Sequence, residues 1–165
     1  RPGDRFGDRE DRGPRLGDVA FRAQRDALEH AQQTLRKLAA QAHGEALTQL
    51  LAAWEQRAAD DVPSQSELGR TVTPAIRGSW VKALQSPASG DAGEALLRLE
   101  IAADVATPAE QMNARRALQL QLLTRRHDPS PAQTWGEDAA RVFATPHSQG
   151  AARRVQNALK VLLRS

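Results

Sequence analysis

The segment VAFRAQRDALEHAQQTLRKLAAQA, residues 19–42, decides how this chain folds. Phe21, Leu28, Ala31, Leu35, Leu38 and Ala42 mark an apolar stripe, and from Leu28 the steps are 3, 4, 3, 4. Residues so spaced share one face of a helix, and this is the seam spacing of a coiled-coil-like helix pair. The small Ala members permit close helix approach. Asp18, with a carboxylate placed to accept backbone N–H groups, is expected to cap the start. Gly44 is expected to stop the helix near Ala42. A second helix over Glu45–Ala59 then carries Leu47, Leu50, Leu51, Trp54 and Ala58 on one face, and the short break predicts an antiparallel hairpin.

Composition carries the helical reading along the chain. Of 165 residues, 30 are Ala and none is Tyr. Ala and Leu are the best helix formers, while the β-branched and aromatic residues that favour strands are scarce. The fold class is therefore all-α, with six or seven helices packed as antiparallel hairpins and a disordered or irregular N-terminal arm. That length supports one compact domain or a small stack of helices. The chain has no Cys, which excludes a disulfide scaffold, thiolate zinc and cysteine catalysis. No apolar run approaches the ~18–20 residues a membrane span needs, and no signal-peptide pattern occurs. A soluble, cytoplasmic protein is expected.

Residues 1–17, RPGDRFGDREDRGPRLG, alternate Arg with Asp, Glu, Gly and Pro. Only Phe6 and Leu16 are large and apolar, too little to offset the entropy of ordering, so the segment reads as a linker. Its first residue, Arg1 in place of Met, sets the expectation of a piece of a longer protein. Residues 18–84 read as the hairpin plus a short helix opened by Thr73-Pro74, with Ile76, Trp80 and Leu84 four apart. Residues 85–93 are a flexible loop, and 94–165 a C-terminal helical bundle. In that bundle a fourth helix spans about Gly93–Val105. Thr107-Pro108 opens a fifth, running to Arg126, whose apolar residues spread around its circumference as if packed between neighbours. Pro131 begins a sixth helix, reaching Ala144, with Trp135, Ala139, Val142 and Phe143 together. Ser148 caps a last one through Leu163.

The block LLRLEIAADVATPAEQMNARRALQLQLLTRR, residues 96–126, resembles the C-terminal region of the bacterial domain-of-unknown-function 349 proteins. The carriers of the likeness are an acidic helix, the turn at Pro108 and an Arg/Gln-rich helix. The run RGPRLGDVAFRAQRDALEHAQ, residues 12–32, is similar to a segment between repeats in proteobacterial members. The resemblance implies a long, bacterial, multi-helix protein of uncharacterised function; it implies no mechanism.

Residue patterns that carry chemistry are few. His30, His43, His127 and His147 form no ligand spacing, and HExxH, phosphate-loop and Gly-rich dinucleotide patterns do not occur. Glu94, Glu100, Asp104 and Glu110 lack the accompanying Glu-x-x-His of a metal bundle. No nucleophile, base and orienting group assemble in the pattern. The expectation is a non-enzymatic scaffold or protein-interaction module with an unidentified protein partner, and with no cofactor, metal, small-molecule substrate or membrane. The alternative is an RNA-binding domain. The basic residues comprise 20 Arg and 3 Lys, net charge is +3 and pI about 10.1. Guanidinium forks grip phosphate well, although a GC-rich genome also explains the excess of Arg and Ala. Arg115, Arg116, Arg125 and Arg126 on the fifth helix could join Arg153 and Arg154 on the last in one basic patch, with Trp135 as a stacking surface. The competing structural reading pairs these arginines with Glu100, Glu110 and Glu137, and places all three Trp in the core.

Overall fold

A computed structural model describes the backbone of residues 2–164 and the side chains of 17–164. Among the described residues it holds seven α-helices, two short 3₁₀ turns and no strand. The helices are α1 (Pro2–Gln56), α2 (Gln65–Leu68), α3 (Pro74–Gln85), α4 (Gly93–Ala103), α5 (Met112–Thr124), α6 (Pro131–Phe143) and α7 (Gln149–Leu162). The chain divides into two compact units, Arg1–Gln41 and Ala42–Ser165. The linker expected over residues 1–17 falls, except for Gly17, on residues whose side chains lie outside the described set.

The hairpin expected around Gly44 does not form. Asp18 and Gly44 both lie inside α1, and neither caps it. A mid-helix Gly costs about 1 kcal/mol relative to Ala. Against that, Ala46, Leu47, Leu50, Ala53 and Trp54 are buried immediately beyond it, and burying a side chain as large as Leu is worth about 1.5–3 kcal/mol. The helix therefore runs through. It ends where Arg57 turns left-handed at φ 51°. Arg57 N–H then bonds Trp54 O at 3.1 Å and Ala58 N–H bonds Ala53 O at 2.9 Å, the paired closure of a Schellman motif. Glycine usually takes that position. Here arginine does, and its guanidinium donates to Phe143 O (2.8 Å), Ala83 O (2.7 Å) and Ser86 O (2.5 Å). One side chain thus satisfies carbonyls at the ends of both α3 and α6.

The second unit is built on α4, which packs against α6 and α7, while α3 packs against α6. Its centre is aromatic. Phe143 meets Trp54 at 5.6 Å and Trp80 at 5.5 Å between ring centroids, both edge-to-face, and Trp54 also meets His147 at 4.8 Å. Each buried indole places its N–H on a carbonyl: Trp54 on Thr145 O (2.9 Å) and Trp80 on Gly136 O (2.8 Å). Trp135 is only half-buried, tilted against Trp80 at 6.4 Å. Gly136 of α6 stands against Ile76 of α3. A Cβ there would lie 2.7–2.9 Å from three carbons of Ile76, so any larger residue must displace that side chain.

The expected starts at Pro74, Gly93, Pro131 and after Ser148 hold, and the one at Thr107-Pro108 moves. Thr73 Oγ1 accepts from Ile76 N–H at 3.2 Å and Ser148 Oγ from Ala151 N–H at 3.1 Å, each covering one orphan donor of a first turn. Thr107 caps nothing: its hydroxyl donates to Glu100, a 3₁₀ turn covers Ala109–Gln111, and α5 begins at Met112. At its other end α4 stops at Ala103 rather than Val105, because Asp104 takes the left-handed conformation at φ 54°. α5 is also not packed between neighbours, as its apolar residues had suggested. Leu118 is its one buried residue, and Leu120 and Leu123 are exposed.

Candidate interaction surface

In the first unit, the stripe expected to form a helix seam is bare. Phe21 is 64% exposed, Leu28 59%, Leu35 65% and Leu38 57%. All four fall on the 3/4 spacing along one face of α1, with exposed Ala31 among them. Single exposed apolar residues are ordinary, whereas several along one helix face make a distinct surface feature. In the second unit α5 carries a shorter bare row of Met112, Leu120 and Leu123, interrupted by Arg116 at the same spacing.

The arginines named from sequence divide into two groups. Arg116, Arg125, Arg126 and Arg153 are exposed. Arg115 and Arg154 join one network, Arg154 on a buried carboxylate and Arg115 on the threonine bound to it. Arg154 donates from Nε to Glu100 Oε2 at 3.0 Å and from Nη2 to Oε1 at 2.5 Å. Thr107 Oγ1 donates to the same Oε1 at 3.0 Å and accepts from Arg115 Nη1 at 2.9 Å, and Arg115 also donates to Val105 O. Glu100 is 1% exposed. A carboxylate so removed from water is stable only with paired charge and filled lone pairs, and Arg154 with Thr107 supplies them, Arg115 holding the threonine. The network floors a cleft of 890 Å³ whose wall includes Arg153 and Asn157. Its chemistry is structural: the carboxylate's oxygens already hold their donors.

A second buried carboxylate was not singled out in the sequence. Asp138, 1% exposed on α6, receives Arg98 Nε of α4 on both oxygens at 3.1 and 3.0 Å and Thr134 Oγ1 at 3.1 Å. Arg98 Nη2 closes the ring on Thr134 Oγ1 at 2.8 Å. Arg98, Glu100 and Asp138 stand among apolar residues of amphipathic helices, and a charge inside an inward-facing stripe is the signal that could have found them. Trp54 and Trp80 sit in the core, and Glu100 takes Arg154, as the structural reading of the arginines had it. Among the described residues, no three His, Cys, Asp or Glu side chains are placed to hold a metal ion, and no helix is long and apolar enough to cross a membrane. Set against family models, curated proteins and solved structures, the chain matches none.

Proposed function

We propose that the chain is a non-enzymatic helical scaffold, and that it engages a protein partner through the Phe21–Leu38 face of α1. The bacterial, cytoplasmic setting and the place within a longer protein implied by the family resemblance belong to the same proposal. One observation carries it: four large apolar side chains stand exposed at seam spacing on one helix. Each would gain about 1.5–3 kcal/mol from full burial, and helix-in-groove or helix-pair recognition reads just such anchors. Photo-crosslinking from position 32, beside the seam, in cells expressing the chain is expected to give discrete protein adducts. Those adducts are expected to vanish for Leu28→Glu/Leu35→Glu. Identical adduct patterns for both proteins would remove the proposal.

The RNA-binding alternative has exposed Arg116, Arg125, Arg126 and Arg153 to draw on. Arg115 and Arg154 are already committed to Thr107 and Glu100. Titration with single-stranded RNA across a salt series is expected to show no binding at low salt. Tight binding that weakens steeply with salt would instead establish phosphate contacts and move the site to these four arginines.

A further inference from the structure

We propose that residues 106–130 form a strap that lifts off the packed unit as one piece, with Arg115 as its latch, while the helices beneath it stay folded. This goes beyond the reading of α1 and does not depend on it. The segment joins the end of α4 to the start of α6, and those two helices pack directly on each other. The contact between them therefore does not run through the segment. From Ala106 to Ser130 no side chain belongs to the contiguous core, and Val105 and Trp135 are the nearest residues on either side packed against it. Leu118 is buried yet outside that core, as is Leu97 of α4.

The ties that hold the strap down are local. Besides buried Leu118, α5 has Arg115 and Leu122 half-buried, and its other residues are exposed. Arg115 Nη1 donates to Val105 O at 2.6 Å and to Thr107 Oγ1 at 2.9 Å, and Thr107 donates in turn to Glu100. The helix is thus clipped to the point where the strap leaves α4. At the other end, residues 123–130 are all exposed. Most helical stability in a protein comes from packing an apolar face, so a helix with so little buried surface opens more readily than its neighbours. Opening also changes the cleft. Thr107, Pro108, Glu110 and Gln111 line it together with Arg153 and Asn157 of α7, and a lifted strap takes the first four away. Glu100 keeps Arg154 on both oxygens throughout, so the carboxylate stays paired and the core can hold.

Native-state hydrogen exchange of the purified 165-residue chain tests this. Amides of residues 112–124 are expected to share one protection factor, at least about 100-fold below those of α4, α6 and α7. Arg115→Met keeps a long side chain but removes its donors. It is expected to lower the protection of α5 by about a further tenfold and to leave the other helices unchanged. Leu118→Ala is expected to abolish protection in α5, again without touching α4, α6 or α7. Movement over the cleft is read separately. The chain has no cysteine, so Glu110→Cys/Asn157→Cys takes a pair of spin labels at two exposed positions on the cleft. One narrow distance is expected while Leu118 is in place, and a broad, longer distribution once Leu118→Ala is added. Protection in α5 equal to that in α4 and α6 overturns the proposal. So does a loss in Arg115→Met that spreads evenly to every helix, and so does a label distance that Leu118→Ala leaves unchanged.

Discussion

Replacing Arg154 by Ala is expected to destabilise the packed unit by about 3–5 kcal/mol, the cost of stranding one member of a buried ion pair. The guanidinium side chain is 14% exposed and the Glu100 carboxyl group 2%. Once Arg154 is gone, Glu100 keeps only the Thr107 hydroxyl on Oε1. Arg115 touches that hydroxyl and not the carboxylate, so its charge helps at one remove. For a unit of this size the loss corresponds to a drop in Tm of about 10–20 °C. The double change Glu100→Leu/Arg154→Met removes both charges and both desolvation costs, and is expected to recover most of the loss. Thermal and urea unfolding of the two variants decide the matter. A deficit below about 1 kcal/mol for Arg154→Ala would show that water reaches Glu100 and that the pair behaves as a surface contact.

The same expectation explains why the arginines were ambiguous in sequence. Arg115, Arg116, Arg153 and Arg154 read alike as residue letters. What separates them is which side of a helix meets Glu100, and successive helix residues point about 100° apart. Arg153 therefore faces water while its neighbour Arg154 closes on a carboxylate 54 positions away in the chain. The helices themselves were legible because propensity and period are local: Thr73, Ser148, Pro74 and Pro131 stand where first turns begin. Gly44 misled because its local cost is small beside the burial of Leu47, Leu50 and Trp54. Arg57 was invisible as a helix stop for the converse reason. A left-handed arginine is unfavourable locally, and three carbonyls from remote segments make it stable. Thr107 looked like a cap and was drawn into the Glu100 network instead. The stripe on α1 was legible as one helix face, yet sequence spacing alone could not say that it stands exposed and is not packed in a hairpin.

Trp80→Ala is the other large effect, expected at about 3–5 kcal/mol. Trp80 is fully buried between Phe143 and Trp135 and sends its indole N–H to Gly136 O. Truncation leaves a cavity at the crossing of α3 and α6. That crossing has little room to close up, because Ile76 already fills the space where a Cβ of Gly136 would sit. Trp80→Phe separates packing from hydrogen bonding. It retains much of the apolar volume and the edge contact with Phe143 but loses the donor, and is expected to cost about 1–2 kcal/mol. Gly136→Ala perturbs the same crossing without touching Trp80, and its overpacking cost of about 1–3 kcal/mol is partly offset by the better helix propensity of Ala. Opening space with Ile76→Ala in the Gly136→Ala background should then cost less than Ile76→Ala does alone. Urea unfolding of these variants gives the coupling directly. Additive losses would mean that the two helices adjust by sliding apart; a favourable coupling would mean that the crossing is fixed, with Gly136 and Trp80 setting the distance at which α3 and α6 meet.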